Sequence, residues 1–230
     1  MRSLLGAALL AAATSATAGR PLTTEDAAVL EAGACQLEAW IDRSRVATQV
    51  NAVPACNFGL GVEWQLGAQR TREAGRSAMT EALFQGKFAF VSVDEHPWGV
   101  GLVAGALRRA QRETANGWGD PYAIVPLSFR LGESGNLVHL NLGWSRDRAE
   151  RRNLTLWGIA VEVPVGERLA LVAESYGENA REPWLRAGGR FAAIKDRLDF
   201  DLTFVARSGG AREERFVSLG LRYQTAAFLR

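Results

Sequence analysis

Long apolar runs, net charge and cysteine are all scarce in this sequence. The run Leu4 to Ala13 is too short for a membrane helix, and no later segment reaches the roughly 18 apolar residues that a helical crossing needs. Any crossing of a membrane must therefore be made by strands. The formal net charge is only +2, which points away from nucleic acid and from a polyanionic tail. No low-complexity stretch or break in composition marks a second domain. Cysteine occurs only twice, at Cys35 and Cys56. Neither follows a cleavage site closely enough to take a lipoprotein anchor.

What is present begins with an export signal. Arg2 supplies the positive start, Leu4 to Ala13 the apolar stretch, and Ala16-Thr17-Ala18 the small-residue cleavage pattern, so residues 1–18 read as a secretory signal peptide. Residues 19–33 read as a periplasmic leader that could plug a barrel mouth. Thr24 is placed to cap a short helical turn through Ala27-Ala28-Val29-Leu30, with Glu25 and Asp26 in its first turn. In an exported chain the two cysteines are expected to form a disulfide rather than a metal site. A hairpin loop near Arg45 would place Cys35 opposite Cys56.

Residues 34–230 are dominated by period-two alternation, the mark of β-strands. The clearest case is Trp184 to Arg207. Leu185, Ala187, Phe191 and Ala193 oppose Trp184, Arg186, Gly188 and Arg190. After Ile194-Lys195-Asp196-Arg197, Leu198, Phe200, Leu202 and Phe204 oppose Asp199, Asp201 and Thr203. Similar runs are Cys35–Ser44, Phe58–Gln69, Ser77–Val93, Trp98–Arg109, Pro121–Leu131, Leu137–Arg146, Asn153–Val163, Arg168–Gly177 and Phe216–Gln224, with a weak, short one at Ala47–Pro54. Most approach the 9–11 residues, roughly, that cross a bilayer at a tilt. Short connections near Cys56, His96, Gly135, Val165 and Lys195 alternate with longer polar ones at Arg70–Arg76, Gln111–Asp120, Asp147–Arg152, Glu178–Pro183 and Ser208–Glu214. The expected fold is all-β: an antiparallel up-and-down transmembrane β-barrel of about twelve strands, with short periplasmic turns.

In such a barrel the charged face must turn inward. The lumen is then lined by Glu38, Glu63, Glu81, Lys87, Arg130, His139, Asn141, Glu162, Glu174, Arg186, Arg190, Asp199, Asp201 and Arg222. Hairpin register suggests the pairs Glu174–Arg186, Arg190–Asp201 and Asp199–Arg222. Gly59, Gly61, Gly99, Gly101, Gly105, Gly143 and Gly158 also point inward and would leave room for the leader, a solute or large side chains. Trp64, Trp98, Trp144, Trp157 and Tyr223 point outward, as interfacial aromatics do. His139-x-Asn141 with Ser145 invites comparison with barrel lipid hydrolases. Ser145, however, lies about three inward positions from His139, too far for an activated nucleophile. No catalytic residue, cofactor or metal is expected.

The mature chain resembles an outer-membrane family of transporters of the meta-cleavage pathway of phenol degradation. The resemblance lies in Arg20-Pro21-Leu22-Thr23-Thr24-Glu25-Asp26-Ala27 leading into Gln36-Leu37-Glu38, in Gly59-Leu60-Gly61-Val62-Glu63, and in Gln85-Gly86-Lys87 before the glycine-rich strand Trp98–Gly105. It implies a barrel in the bacterial outer membrane acting as a passive channel or transporter for small, aromatic or hydrophobic solutes. Its partners would be outer-membrane lipid and the barrel-assembly machinery, with no nucleic acid. The alternative is a structural or lipid-interacting barrel whose lumen is filled by salt bridges.

Overall fold

The computed structural model describes residues 20–73, 75–110, 119–179 and 181–229; the expected signal peptide lies outside them. Twelve strands follow one another: β1 (Cys35–Ser44), β2 (Ala47–Asn57), β3 (Val62–Glu73), β4 (Met79–Val91), β5 (Trp98–Arg109), β6 (Asp120–Leu131), β7 (Asn136–Asp147), β8 (Arg152–Pro164), β9 (Leu169–Glu178), β10 (Trp184–Ile194), β11 (Leu198–Arg207) and β12 (Arg215–Gln224). Each pairs antiparallel with its sequence neighbours, and β1 closes on β12. Closure leaves no strand edge to aggregate.

Burial shows which way the alternation faces. In β11, Asp199, Asp201, Thr203 and Val205 are buried while Phe200, Leu202 and Phe204 are exposed. Leu66, Leu142 and Leu219 are 62%, 64% and 58% exposed. A soluble sandwich would cover such a face; an apolar exterior around a polar interior is the architecture of a strand-crossing membrane protein. No helix among the described residues is long and apolar enough to cross a membrane. Outward aromatics flank the band, with Trp64, Trp98 and Tyr223 near one rim and Trp144 and Trp157 nearer the other. Trp64 stacks on Phe84 at 5.6 Å between ring centroids.

One rim carries the first residue of β1, the last of β12 and the turns 58–61, 92–97, 132–135, 165–168 and 195–197. We call it the turn rim. The loop rim opposite carries the connections 45–46, 74–78, 110–119, 148–151, 179–183 and 208–214.

Four details depart from the sequence reading. Strand β2 is not short, because β1 pairs with it without a break through Pro54. Only the ladder to β3 skips there, passing from Ala52↔Ala68 to Ala55↔Gln65; an imino acid cannot donate to a ladder, so the gap falls at the proline. Gly59 and Gly61 do not point inward from a strand. They sit in the turn with φ of +82° and +70°, values that glycine adopts without strain. Strand β3 runs on to Glu73, absorbing most of the expected loop. The leader forms no helix: Thr24 spends its hydroxyl on Glu174 of the wall rather than on a cap.

The disulfide forms where expected. Cys35 and Cys56 face each other in the β1–β2 register and are bonded. It staples the base of the first hairpin beside the point where the leader enters. With a sequence separation of 21, loop closure would contribute roughly 3 kcal/mol on the chain-entropy model. A Cys35→Ser, Cys56→Ser variant should therefore unfold at lower temperature or denaturant concentration. Detection of two free thiols in the native protein would rule the bond out.

Candidate functional site: a leader held across the lumen

The leader enters at the turn rim, where the Gly33 amide donates to the Asn57 carbonyl. From there residues 30 to 20 cross the lumen and touch the wall at every stage. The Leu30 amide donates to Glu63 of β3 (2.9 Å). Ala27 donates to the Ser128 hydroxyl of β6 (2.9 Å), and Glu25 donates to Asn141 of β7 (2.8 Å). Both Thr23 and Thr24 amides donate to Glu174 of β9, and the Thr24 hydroxyl does so as well, all within 2.9–3.0 Å. Finally the Arg20 amide donates to Glu38 of β1 (2.9 Å). An irregular segment inside a barrel has no ladder to satisfy its N–H groups, and a buried unpaired amide is costly. Here wall carboxylates, an amide and a hydroxyl take that role.

Side chains reinforce the same path. Arg20 pairs with Asp201 (2.6 Å), donates to Ser218 (2.8 Å) and lies 4.6 Å above the Trp40 ring. Arg186 pairs with Glu174 (3.1 Å) and donates to the Pro21 carbonyl. Lys87 holds Asp26 and also lies 3.2 Å from Glu25. Burial, the largest influence on the Asp26 carboxyl, pushes its pKa up; the neighbouring Lys87 pulls it down. The carboxylate is tolerated in this enclosed place because a cation is built in beside it.

Glycines of the wall make room for the leader, among them Gly99 and Gly158. A Cβ on Gly99 would meet Ala27 at 2.9 Å, and one on Gly158 would meet the Thr24 hydroxyl oxygen at 2.7 Å. Their inward positions, read from alternation, therefore have a physical use: the leader packs against bare backbone.

The remaining lumen residues sort by height. Glu81 lies toward the loop rim, paired with Arg109 (2.8 Å), which also reaches Asp120 (2.6 Å). Toward the turn rim Asp199 pairs with Arg222 (2.5 Å), as register suggested. Arg130 there donates to the Val93 carbonyl (3.0 Å). Arg190 and Asp201 do stand opposite each other in the β10–β11 ladder. Each also has a close partner beyond that ladder: Arg190 reaches Glu162 (2.6 Å) and Asp201 reaches Arg20. Asp201 is thus held by a cation from the leader that strand register alone does not contain.

His139 is fully buried and its Nδ1 lies 2.8 Å from the Ser128 hydroxyl. On the other side, its Nε2 lies 3.5 Å from Glu162. Serine, histidine and glutamate in sequence look like a hydrolase set, but Ser128 is also fully buried and already accepts the Ala27 amide. No carbonyl substrate can approach that oxygen while the leader is docked. The partner is Ser128, not Ser145, and the β6–β7 register puts Ser128 directly across from His139.

The leader lies between two cavities. Toward the turn rim, about 630 Å³ is lined by Glu162, Arg190, Asp199 and Arg222. Toward the loop rim, about 480 Å³ is lined by Leu83, Leu107, Ile124, Leu154 and Leu156, with Tyr122, Arg109 and Arg152. Those aliphatic residues occupy inward positions, so one wall of the outer lumen is apolar. Alternation assigned the inward face to polar groups and missed this patch, although Leu83, Leu107, Ile124 and Leu156 keep step with Glu81, Arg109, Tyr122 and Glu162.

Among solved structures, the chain resembles the KdgM porin, at 5% identity over 83% of this chain and 99% of that one, with a TM-score of 0.59. KdgM porin in complex with disordered oligogalacturonate matches at 4% identity, 83% and 99% coverage and a TM-score of 0.60. The NanC porin matches at 9% identity, 82% and 98% coverage and a TM-score of 0.60. At such identities the likeness establishes the barrel fold. No curated protein sequence matches. With its closed twelve-strand barrel and apolar exterior this is a bacterial outer-membrane protein, and since the family model described as "Uncharacterised conserved protein UCP029691" matches residues 6–224, the chain belongs to that family.

Proposed function

We propose that the protein is an outer-membrane channel for small solutes, closed at rest by its own N-terminal leader. The observation that carries this is the ring of wall groups binding leader amides, from Glu63 through Ser128, Asn141 and Glu174 to Glu38. Such a segment occludes the lumen at mid-height while leaving cavities on both sides. The leader has no regular structure of its own, so its only strong ties are those wall contacts and the covalent junction near Cys35. Release would expose a charged, water-filled passage. The likeness to porins, one of them solved with a sugar acid oligomer, is consistent with solute passage. The apolar wall in the outer lumen supports the narrower reading that the solute is aromatic or otherwise hydrophobic.

A reversible lock tests the proposal. A Cβ at Gly158 would lie 3.4 Å from the Cβ of Thr24, close to the roughly 3.5–4.5 Å typical of disulfides. In planar bilayers the Thr24→Cys, Gly158→Cys variant should be silent when oxidised; after reduction it should conduct more than reduced wild type, because a Cβ at position 158 crowds the leader and Thr24→Cys removes the hydroxyl bonded to Glu174. Conductance that ignores the lock, or a folded barrel that never conducts with the leader freed, would refute the gated channel and favour a filled structural barrel.

A further inference from the structure

The outward face of the strands carries a second charge pattern, independent of the lumen. Its ionisable residues are Arg43 on β1, Arg70 and Arg72 on β3, Arg108 on β5, Arg146 on β7 and Arg215 on β12. All six are arginines, and all lie at the loop rim. Among the described strand residues no Asp or Glu points outward, so the belt has no counter-charges beside it on the same face. A charge facing the apolar interior of a bilayer is costly, and that cost fades near the interface. The six sit where the apolar band ends.

Three of them surround a groove. A cavity of about 700 Å³ on the outer wall of β1–β4 is lined by Arg43, Arg70 and Arg72 above Val50, Ala52 and Ala68. Here the small side chains of Val50, Ala52 and Ala68 leave a channel running down from the arginines. Arg70 and Arg72 are exposed, and Arg43 donates to Thr48 (2.6 Å), a neutral partner that leaves its charge unmatched. Guanidinium groups suit phosphate oxygens through paired, planar hydrogen bonds, better than ammonium groups do. An acyl chain in the groove with a phosphate at its head would meet both halves of the site.

We infer that the outer wall of β1–β4 binds a phosphorylated glycolipid of the outer leaflet, its phosphate held by Arg43, Arg70 and Arg72 and an acyl chain lying over Val50, Ala52 and Ala68. Both termini of the barrel lie at the turn rim, which for an exported barrel is the periplasmic side. The arginines therefore face the outer leaflet, where the anionic lipid is phosphorylated glycolipid rather than phospholipid. The inference does not depend on whether the lumen conducts.

The test is native mass spectrometry of the full barrel in neutral detergent with added diphosphoryl lipid A. Wild type should retain one lipid A. Changing Arg43→Gln, Arg70→Gln and Arg72→Gln together should weaken retention at least about tenfold, a change of ~1.4 kcal/mol. The control Arg146→Gln, Arg215→Gln, in the belt but outside the groove, should retain it. Heat-modifiable mobility on gels verifies that each variant is folded, and if the triple variant fails this check, Arg72→Gln alone is measured in its place. Equal retention by the groove variant would overturn the assignment. So would equal retention of fully dephosphorylated lipid A, or of phosphatidylglycerol, by wild type.

Discussion

Glu174→Ala should turn a closed barrel into an open one. Glu174 is buried at the wall and holds three groups of the leader, the amides of Thr23 and Thr24 and the Thr24 hydroxyl. It also pairs with the buried Arg186. Alanine leaves two amides and a hydroxyl without their acceptor, and the Arg186 guanidinium without its counter-charge, in an enclosed place. Breaking a buried pair on one side costs about 3–5 kcal/mol, because the remaining charge is stranded. The barrel need not bear that cost. Its ladders are backbone bonds that the substitution does not touch, and the leader has no ladder of its own. Undocking lets water reach Arg186, Thr23 and Thr24, so the strain is relieved by leader release rather than by unfolding. We expect near-continuous conductance in planar bilayers, with heat-modifiable mobility retained. Cleavage by added protease within residues 20–30 of the folded variant should accompany it. A folded Glu174→Ala barrel as silent and protease-resistant as wild type would show that the leader is not the gate.

The contrast between wall and leader also explains what could be seen in the sequence. The barrel was legible because its cause is local: alternation of Leu198, Phe200 and Leu202 with Asp199, Asp201 and Thr203 records two solvents, lipid and lumen, residue by residue. Register between neighbours followed, which is why Glu174–Arg186, Asp199–Arg222 and Cys35–Cys56 appear as expected. The site was legible only as a set of wall residues. Arg20 reaches Asp201 across 181 positions of sequence, and nothing in the alternation of β11 announces a partner from the leader. The acceptors for leader amides were equally hidden, since a backbone N–H leaves no trace in residue identity. Two signals were available and carry physical weight. Gly99 and Gly158 lie on inward positions, where a strand loses packing unless another backbone comes close. Lys87 stands with Glu63 and Glu81 on an inward face, a cation placed where Asp26 and Glu25 of the leader arrive.

That cation makes leader docking sensitive to pH once it is removed. In wild type the Asp26 carboxylate is buried against Lys87, with Glu25 and Glu63 nearby. Lys87→Met fills similar volume but takes away the ammonium group that these three carboxyl groups share. Burial already pushes the Asp26 pKa up, and loss of Lys87 removes the largest of the charges that oppose the rise. The docked state then favours protonated Asp26, whereas the released leader titrates near the ordinary carboxylate value of about 3.9. A pKa raised in the docked state gives a contribution that is complete below the ordinary value and is lost as pH rises through the docked one. Lys87→Met should therefore dock its leader in acid and release it toward neutral pH, so that conductance rises with pH while wild type stays closed. Adding Asp26→Asn should abolish much of that dependence, because the amide keeps its neutral form throughout. Conductance of Lys87→Met that is flat with pH, or that rises as pH falls, would mean that the buried Lys87–Asp26 contact does not hold the leader in place.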